Sequence, residues 1–220
     1  MRVSLFDTVD LDAMAAAAAT RGGPAALIVA CLVDGGVATR DPADPTWEDR
    51  DRFVTTDPAL AQDAERQDAQ ARAAEAPAAA QPAIDWLVAE GAWSIAMAYG
   101  GAAVSRSQGD VFRVWCVLAA QDCDDGAAWE VARAAASSGT TSLVVVCTAP
   151  PDEAVPMVRM WEACGWHVVE AQADDPISVV GALDQALAAV GRPVCLVVTV
   201  VPAAADGSQD AVSAGSAVSA

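Results

Sequence analysis

The sequence predicts an α/β fold, a three-layer α/β/α arrangement around a mostly parallel sheet. Two observations carry that expectation. Four short runs at 112–118, 142–147, 166–170 and 194–200 are strand-like and mostly apolar, with Val, Leu and Cys prominent, as strands buried on both faces are. Between them, helix-like segments at 126–138, 152–164 and 176–190 supply the crossovers that parallel neighbours need. Right-handed crossovers then cover both faces of the sheet with helices. A length of 220 residues suffices for one such domain with a sizeable core.

From the amino end, residues 7–39 read as one or two alanine-rich helices interrupted at Gly22–Gly23–Pro24. The segment 41–54, DPADPTWEDRDRFV, opens on two Asp-Pro steps that make a turn, with Asp44 or Thr46 capping a short helix. Residues 57–83 are polar, rich in Ala, Gln, Asp and Arg, and carry Pro77 and Pro82; they read as a solvated helix or a flexible insertion. Residues 84–104 read as one buried helix, whose small side chains at Gly91, Ala92, Ser94, Ala96 and Ala98 let another backbone come close. The domain is expected to span 1–201, and the small, polar tail 202–220 to be disordered.

The composition excludes several functions. Thirty acids against twelve basic residues give a net charge of −18, which disfavours nucleic acid and anionic membrane surfaces. No run of 18 apolar residues occurs, so no transmembrane helix is indicated. The charged start, MRVSLFDTVDLDAM, does not read as a signal peptide, and a cytoplasmic location is expected. Every basic residue is Arg, and the chain has neither Lys nor Asn, as a GC-rich genome would give. Without Lys there is no Walker site and no Schiff base. The six cysteines form no CxxC pair and only one His is present, which excludes a common zinc site. Cys116, Cys147 and Cys195 lie in strand-like runs and read as reduced, structural thiols. No GxSxG elbow is found. The acid pairs Asp124–Asp125 and Asp174–Asp175, adjacent in sequence, read as solvated turns.

Four blocks carry a resemblance. DPADPTWEDRDRFV at 41–54 resembles the transketolase segment NPxxPxWxxRDRFVLSxGH. EGAWSIAMAYGGAA at 90–103 is similar to that family's QGLASAVGMAMA helix, WEACGWHVVEA at 161–171 to its FEAYGWHV segment, and GRPVCLVVTV at 191–200 to a late strand. The blocks stand in the family's order from about residue 7 to 201. The chain thus resembles the amino-terminal, thiamine-diphosphate-binding domain of transketolases, without their pyrimidine-binding and carboxy-terminal domains.

The resemblance implies a cofactor site, and the chain departs from it. The family holds a divalent metal and the diphosphate with a GDG segment and a later Asn, aided by glycines and a helix N-terminus. Here AAQDCDDGAAWE follows the first central strand: Asp122 matches the metal-binding Asp, Gln121 and Cys123 replace glycines, and Gly126 and Glu130 keep a loose remnant. The family's YDxNxIS reads CTAPPDEAVP, so only Asp152 or Glu153 is left to complete a metal site with Asp122. Read structurally, these acids are solvated residues at a helix N-terminus, where the dipole favours them. GPLGQG reads WLVAEG at 86–91, and Trp86 is expected to fill space that cofactor or substrate takes in an active relative. The family's histidines after RDRFV and in a GHPG turn are Thr55–Thr56–Asp57–Pro58 and GGPA. The remaining one, His167, reads as a packed residue at a strand start.

The resemblance accordingly implies no catalytic residues in this chain and no cofactor bound by it alone; thiamine diphosphate and Mg²⁺ would enter only in a complex. Asp122, Cys123 and Glu130 are read as vestigial cofactor positions. The function expected is a cofactor-degenerate subunit of a split transketolase-like hetero-oligomer, its partner chain carrying the missing domains and performing two-carbon ketol transfer. Trp86, Gly91, Trp93, Ala96 and Trp129 are the expected interface residues. Two alternatives stay open: an active subunit using Asp122 with Asp152 or Glu153 for Mg²⁺, and a free-standing pseudoenzyme with another ligand in the cleft.

Overall fold

In the computed structural model, which describes residues 4–21, 26–33, 35–39, 47–58, 60–62 and 85–201, six strands share one sheet. They are β1 (Arg52–Thr55), β2 (Trp86–Leu87), β3 (Val114–Ala119), β4 (Leu143–Ala149), β5 (His167–Gln172) and β6 (Val194–Thr199). Their order is β2-β1-β3-β4-β6-β5, with every neighbouring pair parallel. The helices are α1 (Leu11–Arg21), α2 (Ala26–Val33), α3 (Gly91–Ser107), α4 (Gly126–Ser137), α5 (Pro151–Ala163) and α6 (Pro176–Ala188). The predicted break at Gly22–Gly23–Pro24, the cap at Asp44 or Thr46, nearly all of the 57–83 insertion and the tail from 202 lie outside the described residues.

The period-2 alternation of strand side chains divides the core in two. Trp115, Val117, Val144, Val146 and Leu196 face one side, where α1, α2 and α6 cover them. Val114, Cys116, Leu118, Val145 and Val197 face the other, beneath α3, α4 and α5. Covered on both faces, β3, β4 and β6 read as unbroken apolar runs. β5, at the sheet's edge, alternates between exposed and buried instead.

Local chemistry sets the helix starts. Asp125 caps α4 by accepting from Ala127 N, and Asp175 caps α6 by accepting from Ile177 N. Each expected acid pair therefore contributes one helix cap. Pro151 and Pro176 occupy first helical positions, where no backbone donor is missed.

Two expectations are corrected on the amino-terminal side of the sheet. The helix read at 84–104 begins at Gly91, and Trp86–Leu87 is instead the edge strand β2. RDRFV, read only as a motif, supplies β1. The reason lies in two buried acids. Asp51 accepts from Arg113 N at 2.7 Å, Trp115 Nε1 at 3.0 Å and Thr39 N at 3.1 Å, which holds the start of β1 against β3. Asp85 accepts from Phe53 N at 2.8 Å and pairs with Arg50, fixing β2 beside β1. Charge-assisted bonds of this kind hold a two-residue strand that propensity alone would not.

Candidate functional site

Ligands of open parallel sheets sit outside the carboxyl ends of the strands. A pocket of about 300 Å³ lies there, where β1, β3 and β4 end, lined by residues that include Thr56, Asp57, Leu60, Gln121, Asp122 and Thr148. Asp122 belongs to a one-turn 3-10 helix, Ala120–Cys123, which follows β3 directly.

Asp122 is tied into the chain. Its Oδ2 accepts from the Thr56 hydroxyl at 2.7 Å and from Ala119 N at 2.9 Å. One carboxylate oxygen thus clamps the end of β1 to the end of β3. Thr56 stands in the segment after RDRFV, where the resemblance would have put a histidine. Behind Asp122, the first residue of α3 packs backbone against backbone: a Cβ on Gly91 would lie 2.0 Å from the Asp122 carbonyl oxygen. Glycine is therefore required at 91 by a contact inside the chain.

The other expected site residues do not gather around Asp122. Cys123 is buried and turned into the core; a hydrogen bond with Cys147, and then burial, push its thiol well up from the ordinary value. Such a thiol is a packing group. Glu130 is exposed on α4, and Asp152 and Glu153 are exposed in the first turn of α5, where the helix dipole favours them. None of the four lines the pocket. Among the described residues, no group of three or more His, Cys, Asp or Glu is placed to hold a metal ion.

Against a metal-bridged diphosphate the donor set falls short. Among the described residues no cationic side chain lines the pocket, two of its polar walls are the acids Asp57 and Asp122, and Asp122 spends one oxygen on the chain itself. Backbone contact at Gly91 closes the approach between the start of α3 and the Asp122 turn. The residues present do not fit that group.

His167 opens β5, as expected, but it is exposed, and the packing role read for it is corrected. On an edge strand of alternating burial, the first side chain faces solvent. It also lies at the amino end of its strand, away from the pocket.

The five expected interface residues divide. Trp93 is 63% exposed on α3, and Trp86 and Ala96 are half-buried. Gly91 and Trp129 have partners inside the chain; Trp129 packs on Trp161 with ring centroids 5.1 Å apart. Sequence reasoning missed Met97 and Val104, which line the same exposed side of α3 as Trp93. Their spacing, 93, 97, 100 and 104, was the available signal, since side chains three and four apart share a helix face.

No family profile matches this sequence, and no curated protein matches it. Solved structures do. The transketolase of Leishmania mexicana superposes with a TM-score of 0.65 at 19% identity, over 91% of this chain and 37% of that one. The transketolase of Campylobacter jejuni gives 0.61 at 16% identity, over 90% and 38%. That of Pichia stipitis, in complex with sedoheptulose-7-phosphate, gives 0.60 at 15% identity, over 86% and 35%. The chain has the α/β fold of a transketolase-like domain and spans little more than a third of those chains.

Proposed function

We propose that this chain is a cofactor-degenerate subunit of a split transketolase-like assembly. The catalytic work, two-carbon ketol transfer, falls to a partner chain that carries the remaining domains. The observation that carries this reading is the engagement of Asp122. The carboxylate expected to hold a metal clamps Thr56 to Ala119 through Oδ2, in a pocket whose described lining offers a diphosphate no positive charge. Coverage of about a third of the transketolase chains supports the need for a partner. Trp93, 63% exposed on α3, supplies an apolar anchor for it.

Native mass spectrometry of the tagged chain, purified from its own host with Mg²⁺ and thiamine diphosphate present, tests the proposal. The expected result is a complex with chains bearing the missing transketolase-like domains and no cofactor assigned to this subunit. Stoichiometric thiamine diphosphate on the isolated chain, lost in Asp122→Ala, would instead establish an active subunit. A lone, empty chain would sink the split assembly.

A further inference from the structure

A second concavity, a groove of about 520 Å³, lies well apart from the Asp122 pocket, along the flank of α3. Its walls are Trp86 of β2, Phe112 and the α3 residues Met97 and Val104; its cation is Arg52 of β1. In a chain of net charge −18, a guanidinium in an aromatic groove is conspicuous, and its partners explain what it lacks.

Arg52 makes no ion pair among the described residues. One terminal nitrogen donates to the Arg50 carbonyl and the other to the Glu48 carbonyl, at 2.8 Å for the latter. The nearby buried carboxylate, Asp85, is taken by Arg50. A guanidinium carries five N–H donors, and the described residues take two of Arg52's. Its plane is already positioned, lying over the Phe112 ring with 4.7 Å between its central carbon and the ring centroid. Burial and then the charge of Arg50 lower its pKa from the ordinary value, against the opposing charges of Asp85, Asp51 and Asp49, and an anion on the guanidinium would oppose the repulsion from Arg50.

The floor is made by glycine. A Cβ on Gly101 would press on Val114 at 3.3 Å, which accounts for that residue within the chain. At Gly100, a Cβ would meet nothing within 4 Å. A mid-helix glycine costs about 0.5–1 kcal/mol relative to alanine, and no contact among the described residues asks for this one. Its effect is to keep the groove open beside Met97 and Val104.

We propose that this groove binds a small apolar monocarboxylate, its carboxylate on Arg52 and its hydrocarbon or aromatic body against Trp86, Met97 and the Gly100 floor. The volume falls in the range of small-molecule pockets. A guanidinium with unspent donors selects a planar carboxylate, which it holds by paired N–H bonds. Glu48, exposed at the rim, limits the net negative charge the site accepts, which favours one carboxylate over two.

Calorimetric titration of the full chain with 4-phenylbutyrate, and with 4-phenylbutanol as its neutral counterpart, tests the site. Saturable one-to-one binding of the acid is expected, with the alcohol weaker by about tenfold or more. Arg52→Gln and Gly100→Leu should each weaken the acid by roughly the same factor. The leucine enters open space on a helix, so that variant retains the fold and decides the matter if Arg52→Gln unfolds β1. Absence of saturable binding by the unmodified chain overturns the proposal, as does equal affinity for acid and alcohol. Unchanged affinity in Gly100→Leu overturns it too.

Discussion

The Thr56 hydroxyl donates to Asp122 Oδ2 at 2.7 Å, joining residues that are 66 apart in the chain. This bond makes Asp122 a fixture of the fold. It closes the carboxyl end of β1 onto β3.

Removing either partner should therefore cost stability. A hydrogen bond to a charged acceptor contributes about 1.5–3 kcal/mol. Thr56→Val is expected to lower stability by about that amount, and Asp122→Ala, which also abandons Ala119 N, by somewhat more. Urea denaturation of both variants checks this. A variant at Asp122 with unchanged stability would remove the basis for reading it as a clamp.

The glycines at 91 and 100 should respond to alanine with opposite signs. At 91 the new methyl collides with the Asp122 carbonyl, and overpacking of that kind costs about 1–3 kcal/mol or more. At 100 it meets nothing, and the gain in helix propensity is about 0.5–1 kcal/mol. Thermal melts of Gly91→Ala and Gly100→Ala measure both in one experiment.

The tryptophan cluster under α4 and α5 offers a matched pair. Trp166 Nε1 donates to the Ala132 carbonyl at 2.8 Å, whereas the fully buried Trp161 Nε1 has no acceptor among the described residues. The two rings pack edge to face at 4.7 Å. Trp166→Phe should cost more than Trp161→Phe by about 1 kcal/mol, because only the former loses a hydrogen bond. Equal losses in urea titrations would show that ring volume alone counts.

Burial raises the Cys116 thiol from 9.0 to about 12. Above pH 9 the unfolded chain releases this proton while the native chain keeps it, so stability falls as pH rises from about 9 towards 12. The midpoint of urea unfolding should accordingly be lower at pH 10 than at pH 8. Half-buried Cys164 should be alkylated in the native chain well before the five buried cysteines.

The sequence by itself determined the three-layer fold and the positions of its central strands. β3, β4 and β6 are covered on both faces, so each had to be a continuous apolar run, and the amphipathic segments between them had to be crossover helices. It also singled out Asp122, after the first central strand, through the resemblance, and the blocks whose likeness to transketolases the fold bears out. Only the tertiary structure decided what those residues do. β1 and β2 are short, and their form depends on Asp51 and Asp85, whose partners lie up to 64 residues away; no local pattern carries such information. The same holds for Asp122, which pairs with Thr56, and for Gly91, whose small size answers the Asp122 carbonyl. The groove at Arg52 likewise exists only once β1, β2 and α3 meet. Periodicity records which face of an element is buried, while a bond between distant residues is settled by how the elements pack.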